Sequence, residues 1–347
     1  GTDWVGNVYP GASAPFGMVQ LSPDNGRAGW DYIAGYFYPD SVIAGFSHTH
    51  LSGTGAGDLY DISYMPVTLP ALTEESRPPL TFGMEAKDQR PIGIHARFSH
   101  TTETAQAGYY AVTLEPYKIR VELTATERVG IQRYTFLEDA DSACIILNLT
   151  KAMNWDRTTA SQIRVTEGGR RLAGYRFSDG WARDQRVFFA SRLSRHPQRW
   201  ELKTDTLRHE GKVVGLSHRA YLYYKAKAGE QITVTTALSG VSEAGARANL
   251  AAEAPRDDFD GYRRQSEAAW AARLGQIEIA SSTPDSLRTT FYTALYRAQI
   301  CPTLSSDVSG AYLGADRKVH RLPKGQAAYS TFSLWDTYRT AHPLYNL

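Results

Sequence analysis

Hydrophobic and polar residues alternate in many short runs between residues 81 and 240. In one of them Ile119, Val121 and Leu123 alternate with polar side chains. Period-two alternation between turn-rich segments is typical of antiparallel strands that bury one face. Similar runs cover residues 109–114, 129–136, 143–149, 187–193, 220–224 and 231–238. So many short strands predict a β-sandwich, and we assign residues 1–240 to this mainly β domain.

The hydrophobic pattern changes its period at Ser242. Residues 242–254 are rich in alanine and show no alternation, and Pro255 interrupts them. Beyond it Phe259, Tyr262 and Ser266 recur at helical spacing. The sequence therefore predicts two helices joined near Pro255, which form a helical linker over residues 241–275.

Residues 276–347 are predicted to supply one helix, a loop and part of a second helix, as the start of a further domain. The run 277–279 is predicted as one short strand. Thr283 has the character of an N-cap, with Pro284 at the first helical position, and Pro302 is expected to stop this helix. A last helix is predicted to begin near Ser333. Since these pieces cannot bury their apolar faces alone, we expect the natural protein to continue past residue 347.

The first 66 residues combine glycine with aromatic residues to an unusual degree. They contain 11 of the 29 glycines and 11 aromatic residues. Glycine disfavours regular elements, whereas aromatic residues are rare in unstructured linkers. This combination predicts ordered loops that present flat rings and bare backbone to a ligand, which is how proteins bind sugars.

Composition and charge exclude several classes of function. Hydrophobic residues make up 42% of the chain, which is enough for a packed core, and the net charge of +2 gives no reason to expect nucleic acid or an anionic membrane as partner. No apolar run reaches the ~18 residues of a membrane span. Cys144 is predicted to be a buried strand residue, and a disulfide with Cys301 is the alternative.

The segment 45–58 holds the densest candidate chemistry. His48 and His50 would point to one face of an extended segment, so a shared metal, a structural hydrogen-bonding role and a substrate contact are all open. The glycine-rich run 52–58 lacks the Lys-Ser/Thr ending of a phosphate-binding loop. Close approach of its backbone to a neutral ligand suits it better.

Four aspartates stand in conspicuous contexts. Asp31, Asp58 and Asp61 could each have a functional role, and the alternative is a structural role in a turn or a helix cap. Asp336 follows Trp335 in apolar surroundings, where a carboxylate needs a partner, either a sugar diol or Arg339. We identify no pair of carboxylates that would serve as general acid and base, so no catalytic residue is assigned within this chain.

Several ordered runs resemble glycoside hydrolase family 92, the calcium-dependent exo-acting α-mannosidases. The resemblance rests on residues 9–12, 15–24, 29–31, 35–36, 45–55, 57–58, 65–66 and 333–339. It implies an N-terminal β-sandwich, a helical linker and the first helices of an (α/α)6 barrel that continues beyond this chain. It also implies hydrolysis of terminal α-linked mannose in N-glycans or mannans, in the periplasm or outside the cell.

The same resemblance implies which residues line the sugar pocket. Asp336 would bind a hydroxyl of the terminal mannose, and further pocket residues would be Trp335, Tyr9, Trp30, Gly53, Thr54, Gly55 and His50. The general acid, the general base and most ligands of the Ca²⁺ ion are expected beyond Leu347, so the isolated chain is expected to be inactive. The mechanism implied is inversion by single displacement, in which calcium binds hydroxyls of the mannose and helps to distort its ring.

Two other functions compete with this one. A non-catalytic carbohydrate-binding β-sandwich agrees with residues 1–240 but leaves the helical segment unexplained. A disaccharide phosphorylase would need a phosphate site, and the sequence offers no convincing one.

Overall fold

The structure is a computed structural model that describes residues 2–3, 6–53, 55–69, 74–75, 93–150, 153–154, 156–209, 212–330 and 337–346. Two large antiparallel sheets dominate it. The first has seven strands, in spatial order β1 (Ala12–Ser13), β2 (Gln20–Asp24), β4 (Gly45–Ser47), β5 (Ser63–Thr68), β13 (Ala140–Asn148), β18 (Lys212–Ala226) and β17 (Arg199–His209).

The second sheet has eight strands. In spatial order they are β14 (Arg157–Thr166), β15 (Arg171–Asp179), β16 (Gln185–Leu193), β19 (Gln231–Ser239), β12 (Val129–Phe136), β11 (Ile119–Ala125), β10 (Tyr109–Leu114) and β9 (Thr104–Gln106). Four strand pairs lie outside the two sheets. They are β3 (Val42–Ile43) with β8 (Ala96–Arg97), β6 (Glu74–Glu75) with β7 (Gly93–Ile94), β20 (Thr303–Leu304) with β23 (Tyr329–Ser330), and β21 (Ala311–Leu313) with β22 (Val319–Arg321).

The main hydrophobic core lies between the two sheets. It takes Phe46 and Leu147 from the first sheet and Val112 and Leu123 from the second, all completely buried. The hydroxyl of Tyr64 on β5 donates a hydrogen bond to Ser191 on β16 at 2.8 Å, which joins the sheets directly. The predicted mainly β sandwich is therefore confirmed.

Helices follow the last long strand. They are α1 (Glu243–Glu253), α2 (Phe259–Leu274), α3 (Asp285–Ala298) and α4 (Ala341–Leu344). The side chain of Ser242 accepts from the amide of Gly245 at 3.0 Å and Asp258 accepts from Gly261 at 2.9 Å, so both linker helices begin at capping residues. The prediction of two helices around Pro255 is confirmed.

The linker helices pack on the outer face of the eight-stranded sheet. Leu250 of α1 and Phe259 of α2 share a cluster with Val129 and Ile131 of β12. Trp270 of α2 is buried in a further cluster, and its indole N–H donates to the carbonyl of Ser13 at 2.6 Å. A tryptophan that is both buried and hydrogen-bonded fixes α2 against the sandwich.

Two details of the helical segment differ from the sequence prediction. Residues 277–279 do not form a strand, because an alternating run needs a neighbouring strand and here it lies between two helices. The third helix begins at Asp285 rather than at Pro284, which has the extended ψ of 140° and stands at the cap. That helix ends at Ala298, before Pro302. Part of the last predicted helix lies outside the described residues.

The cysteine alternatives are also decided. Cys144 and Cys301 are both free, and Cys144 is buried on β13 as predicted. None of the helices within the described ranges is long and apolar enough to cross a membrane.

Candidate functional site

The glycine-rich segment 48–62, which connects β4 to β5, has an uncommon backbone. Leu59, Tyr60 and Ile62 have φ values of 85°, 60° and 54°, in the left-handed region that side chains other than glycine rarely adopt. Each such residue costs roughly 1–3 kcal/mol, so the surrounding structure must hold it. Asp61 lies among these residues, and its contacts hold them in place.

Asp61 is completely buried and its carboxylate accepts three hydrogen bonds. Thr49 donates to Oδ2 at 2.8 Å, and the side-chain amide of Gln185 donates to the same oxygen at 2.6 Å. Arg176 donates from Nη1 to Oδ1 at 2.5 Å. The carboxylate thus ties the 48–62 segment to β15 and β16 of the opposite sheet.

Arg176 holds a second carboxylate as well. Its Nη2 donates to Asp156, and its Nε donates to the hydroxyl of Thr158 at 2.9 Å. Burial raises the pKa of Asp156 above its ordinary value, although the charge of Arg176 opposes this shift. A buried ionic cluster of one arginine and two aspartates therefore supports the 48–62 segment from beneath.

Trp30 lies in a 3-10 turn (Trp30–Tyr32) that Asn154 fixes in place. The amide of Gly29 donates to Oδ1 of Asn154 at 2.7 Å, and Nδ2 of Asn154 donates to the carbonyl of Tyr32 at 3.0 Å. The indole of Trp30 is 65% exposed, and a Cβ added to Gly55 would lie 3.8 Å from it. Turn and loop thus form one surface with an exposed ring.

Gly53 and Gly57 use their missing side chains in different ways. Gly53 has φ +73°, and a Cβ there would meet nothing within 4 Å, so its backbone is open on that side. A Cβ on Gly57 would lie 2.5 Å from the Cβ of Asn154, so Gly57 permits the close approach of the residue that holds the Trp30 turn. Open backbone such as that of Gly53 can approach a neutral ligand closely.

His50 is almost fully buried, and both of its ring nitrogens have partners. Nδ1 donates to the carbonyl of Gln20 at 2.7 Å, and Nε2 lies 2.9 Å from Oδ1 of Asp24 and 3.2 Å from the hydroxyl of Ser47. The structural hydrogen-bonding role considered in the sequence accounts for this arrangement. A contact between His50 and substrate stays a prediction.

His48 points into the core instead. Nδ1 lies 2.6 Å from the carbonyl of Ile62, to which it donates, whereas Nε2 is buried without a partner among the described residues. Burial lowers the pKa of His48 to about 4, so the ring is neutral at pH 7. A Cβ on Gly130 would lie 2.6 Å from the His48 ring, so Gly130 makes room for it.

Tyr9 is buried, with its ring centroid 5.5 Å from that of His50. It also lines a cleft of about 1020 Å³ between the sandwich and α3. On the α3 side this cleft is lined by Arg288, Tyr292 and Tyr296. The structure thus brings Tyr9 and His50 together, and Trp30 together with Gly55.

Three of the predicted pocket residues, Thr54, Trp335 and Asp336, lie outside the described residues. Their roles stay predictions. Sequence reasoning also missed two residues that build the site, Arg176 and Asn154. Arg176 had a signal, because period-two spacing places it on the buried face of β15 with Gly174 and Ser178.

The described residues do not fit a calcium site on their own. Within the described ranges, no group of three or more histidine, cysteine, aspartate or glutamate side chains is placed to hold a metal ion. Calcium in proteins takes six to eight oxygen ligands, often including several carboxylates. Asp58 and Asp61, the acidic residues of the loop, are already occupied by hydrogen bonds within the protein.

Known structures resemble this chain over its whole length. The family GH92 alpha-mannosidase BT3965 from Bacteroides thetaiotaomicron has a TM-score of 0.87 and 34% identity to this chain. The alignment covers 100% of this chain and 46% of that protein. Its complex with mannoimidazole has a TM-score of 0.86. The family GH92 inverting mannosidase BT2199 from the same organism has a TM-score of 0.76 and 27% identity, and the alignment covers 99% of this chain and 43% of that protein.

A curated relative is similar as well. An "Uncharacterized secreted glycosidase" from Arthroderma benhamiae is 25% identical over 328 residues, which are 87% of this chain and 40% of that protein. The chain thus spans less than half the length of each of these proteins.

The sequence also matches two family models. Residues 1–239 match the glycosyl hydrolase family 92 N-terminal domain, and residues 245–347 match the glycosyl hydrolase family 92 catalytic domain. Since the two matches together span nearly the whole sequence, the chain belongs to glycosyl hydrolase family 92.

Proposed function

We propose that this chain is part of an exo-acting α-mannosidase that hydrolyses terminal α-linked mannose in N-glycans or mannans. The observation that carries the proposal is the exposed ring of Trp30, which lies beside Gly55 on the same loop as the open backbone of Gly53. This surface belongs to a chain that aligns over its whole length with a mannosidase known in complex with mannoimidazole.

The chain supplies one wall of the sugar pocket in this proposal. The C–H face of a sugar stacks on Trp30, and its hydroxyls meet the backbone of Gly53 and Gly55. The buried cluster around Asp61 and Arg176 anchors this loop at Thr49 and Asp61, which lowers the entropy lost when substrate binds. Trp335 and Asp336 are proposed to complete this wall by binding hydroxyls of the terminal mannose.

We propose inversion as the stereochemical course. A carboxylic acid protonates the leaving oxygen while a carboxylate on the opposite face activates water, with the two groups ~6.5–9.5 Å apart. The name of one structural relative, an inverting mannosidase, supports this course. We place both carboxyl groups outside this chain, in an (α/α)6 barrel to which residues 276–347 contribute the first helices.

Calcium dependence is proposed for the complete enzyme. The described residues do not hold the ion, so we place its ligands elsewhere in the fold and route no step through it. We also propose that the enzyme works in the periplasm or outside the cell, which the name of its secreted relative supports.

The test is release of free mannose from a panel of α-1,2-, α-1,3-, α-1,4- and α-1,6-linked mannobioses by the full-length protein. We expect release from at least one of them, with the product first formed as the β-anomer. EDTA should abolish it and Ca²⁺ should restore it. Release that persists in EDTA would overturn calcium dependence alone.

A folded full-length protein that releases no mannose from any mannobiose would overturn the mannosidase proposal. Binding of mannosides by such a protein would then favour the non-catalytic carbohydrate-binding alternative. Release of a sugar phosphate in phosphate buffer would favour the phosphorylase instead.

A further inference from the structure

Two tryptophans expose more of their side chains than any other large apolar residue in the described ranges. Trp181 is 79% exposed and Trp30 is 65% exposed. Trp181 lies in the turn between β15 and β16, and the sequence pattern had not singled it out. Two exposed tryptophans that are attached to one loop favour a contact surface there, because a large apolar ring gains much from a partner.

The turn that carries Trp181 is held by Asp58. The amide of Trp181 donates to Oδ1 of Asp58 at 3.1 Å, and the amide of Ala182 donates to Oδ2 at 2.6 Å. A Cβ on Gly180 would lie 2.0 Å from the Asp58 carboxylate, so only glycine permits this approach. The carboxylate therefore positions the backbone of Trp181 directly.

A second contact holds the turn from another element. Arg317, between β21 and β22, donates from Nη2 to the carbonyl of Arg183 at 2.9 Å and from Nη1 to the carbonyl of Asp184 at 3.0 Å. The backbone on both sides of residue 182 is thus fixed, while the ring of Trp181 stays exposed. Fixing the turn lowers the entropy that Trp181 would lose on meeting a ligand.

Both exposed tryptophans are joined to the same loop. Trp30 lies against Gly55, and Trp181 is bonded through its amide to Asp58. Because three residues of extended chain span about 11 Å, these two attachment points are at most about 11 Å apart. The backbone that carries Trp181 therefore adjoins the loop that we assign to the sugar pocket.

We infer that Trp181 is a second stacking surface for substrate, which contacts a sugar further along an α-mannoside chain than the one that stacks on Trp30. The inference rests on the proposed function. A mannobiose is too short to need this contact, whereas a mannan oligosaccharide or a branched N-glycan extends beyond the first surface. Trp181 would then give the enzyme a preference for longer substrates.

The energetic consequence follows from where the contact is made. A ring that binds a sugar remote from the scissile bond stabilises ground state and transition state alike, so it lowers KM and leaves kcat nearly unchanged. Loss of this ring should therefore raise KM for long substrates only.

The experiment compares Trp181→Ala with the wild type in the full-length enzyme, on a mannobiose and on a linear α-mannan oligosaccharide of the same linkage. We expect kcat/KM on the oligosaccharide to fall about tenfold through KM, and kcat/KM on the mannobiose to stay within about twofold. Trp181→Tyr should retain part of the preference, since it keeps an aromatic face.

Trp200→Ala is the matched control. Trp200 is 42% exposed and lies against Gly169, which precedes the first residue of β15. Trp181 follows the last residue of the same strand. These ends are about 26 Å apart along the strand. We expect this control to leave the ratio of the two kcat/KM values unchanged.

Equal kcat/KM ratios for the wild type and Trp181→Ala would overturn the inference while the mannosidase proposal stands. An equal loss on both substrates with a lowered Tm would also overturn it, because Trp181 would then pack against another part of the enzyme. A wild type inactive on every mannoside would overturn the proposed function instead.

Discussion

The guanidinium of Arg176 and the carboxylate of Asp61 lie 2.5 Å apart with side-chain exposures of 1% and 0%. One comes from the middle of β15 and the other from the 48–62 loop, 115 residues earlier. Their salt bridge fixes the left-handed backbone on which the candidate site is built. Because both charges are buried, neither can turn to water if the other is removed.

Removal of the arginine should destabilise the protein strongly. Arg176→Met leaves two buried aspartates without a cation, and loss of one partner of a buried pair costs about 3–5 kcal/mol. We expect a fall in Tm of about 10 °C, measured by thermal unfolding of the full-length protein.

Lys227→Met is the matched control for this change. Lys227 pairs with Asp139 at 2.7 Å, but the two side chains are 76% and 61% exposed. Exposed pairs contribute little, so its Tm should stay within about 2 °C. A Tm for Arg176→Met as close to the wild type as this control would show that the buried cluster does not stabilise the fold.

Acid should destabilise the protein through His48. Burial holds the pKa of His48 at about 4 in the folded protein, against an ordinary value of 6.5. Between these values the unfolded chain binds the proton and the folded chain does not, so stability falls as pH drops from about 6.5 to about 4. The full shift corresponds to about 3 kcal/mol.

The measurement is Tm as a function of pH for the wild type and for His48→Asn, whose side chain does not titrate. The variant should lose less Tm than the wild type between pH 7 and pH 4.5, because all other groups are shared. Parallel curves for the two proteins would contradict the assignment of this acid sensitivity to His48.

Trp30 should matter for activity and not for stability. Its indole is 65% exposed, so Trp30→Ala removes little packing and should leave Tm nearly unchanged. Loss of a stacking surface should lower kcat/KM for mannobiose at least about tenfold, which is about 1.4 kcal/mol of transition-state binding. Trp30→Phe should be affected less. An unchanged kcat/KM in Trp30→Ala would show that the Trp30 ring does not contact the substrate.

Asn154 should act on substrate through the Trp30 turn. Asn154→Gly removes all three side-chain hydrogen bonds, to Gly29, Tyr32 and Tyr60, and tolerates the φ of 53° at this position. We expect KM for mannobiose to rise several-fold. Asn154→Asp keeps the acceptor for Gly29 but loses the donor to Tyr32. Its KM should therefore lie between that of the wild type and that of Asn154→Gly. If KM is the same in all three proteins, the turn does not position Trp30 for binding.

Local patterns determined most of the elements. The alternating runs at residues 109–114 and 129–136 coincide with β10 and β12, because alternation reports directly which side chains a strand buries. The change of period at Ser242 and the break at Pro255 likewise located α1 and α2. Where the local signal lacked a neighbouring strand, as at residues 277–279, the prediction was wrong.

The motif-rich loop shows where local information ends. Sequence reasoning singled out Asp58, Asp61 and His50 but left the role of each open, since a carboxylate or imidazole serves equally well as a cap, a buried partner or a ligand. The structure shows both carboxylates and the imidazole hydrogen-bonded inside the protein.

The sequence by itself thus determined the sandwich, the linker helices and the family, since these depend on periodicity and on long ordered motifs. Only the tertiary structure decided that Arg176, Asn154 and the turn at Trp181 support the loop. Their partners lie 115 to 125 residues away, and pairings at that separation leave no periodic trace along the chain. They arise because packing two sheets together brings distant buried polar groups within bonding distance, where each must find a partner.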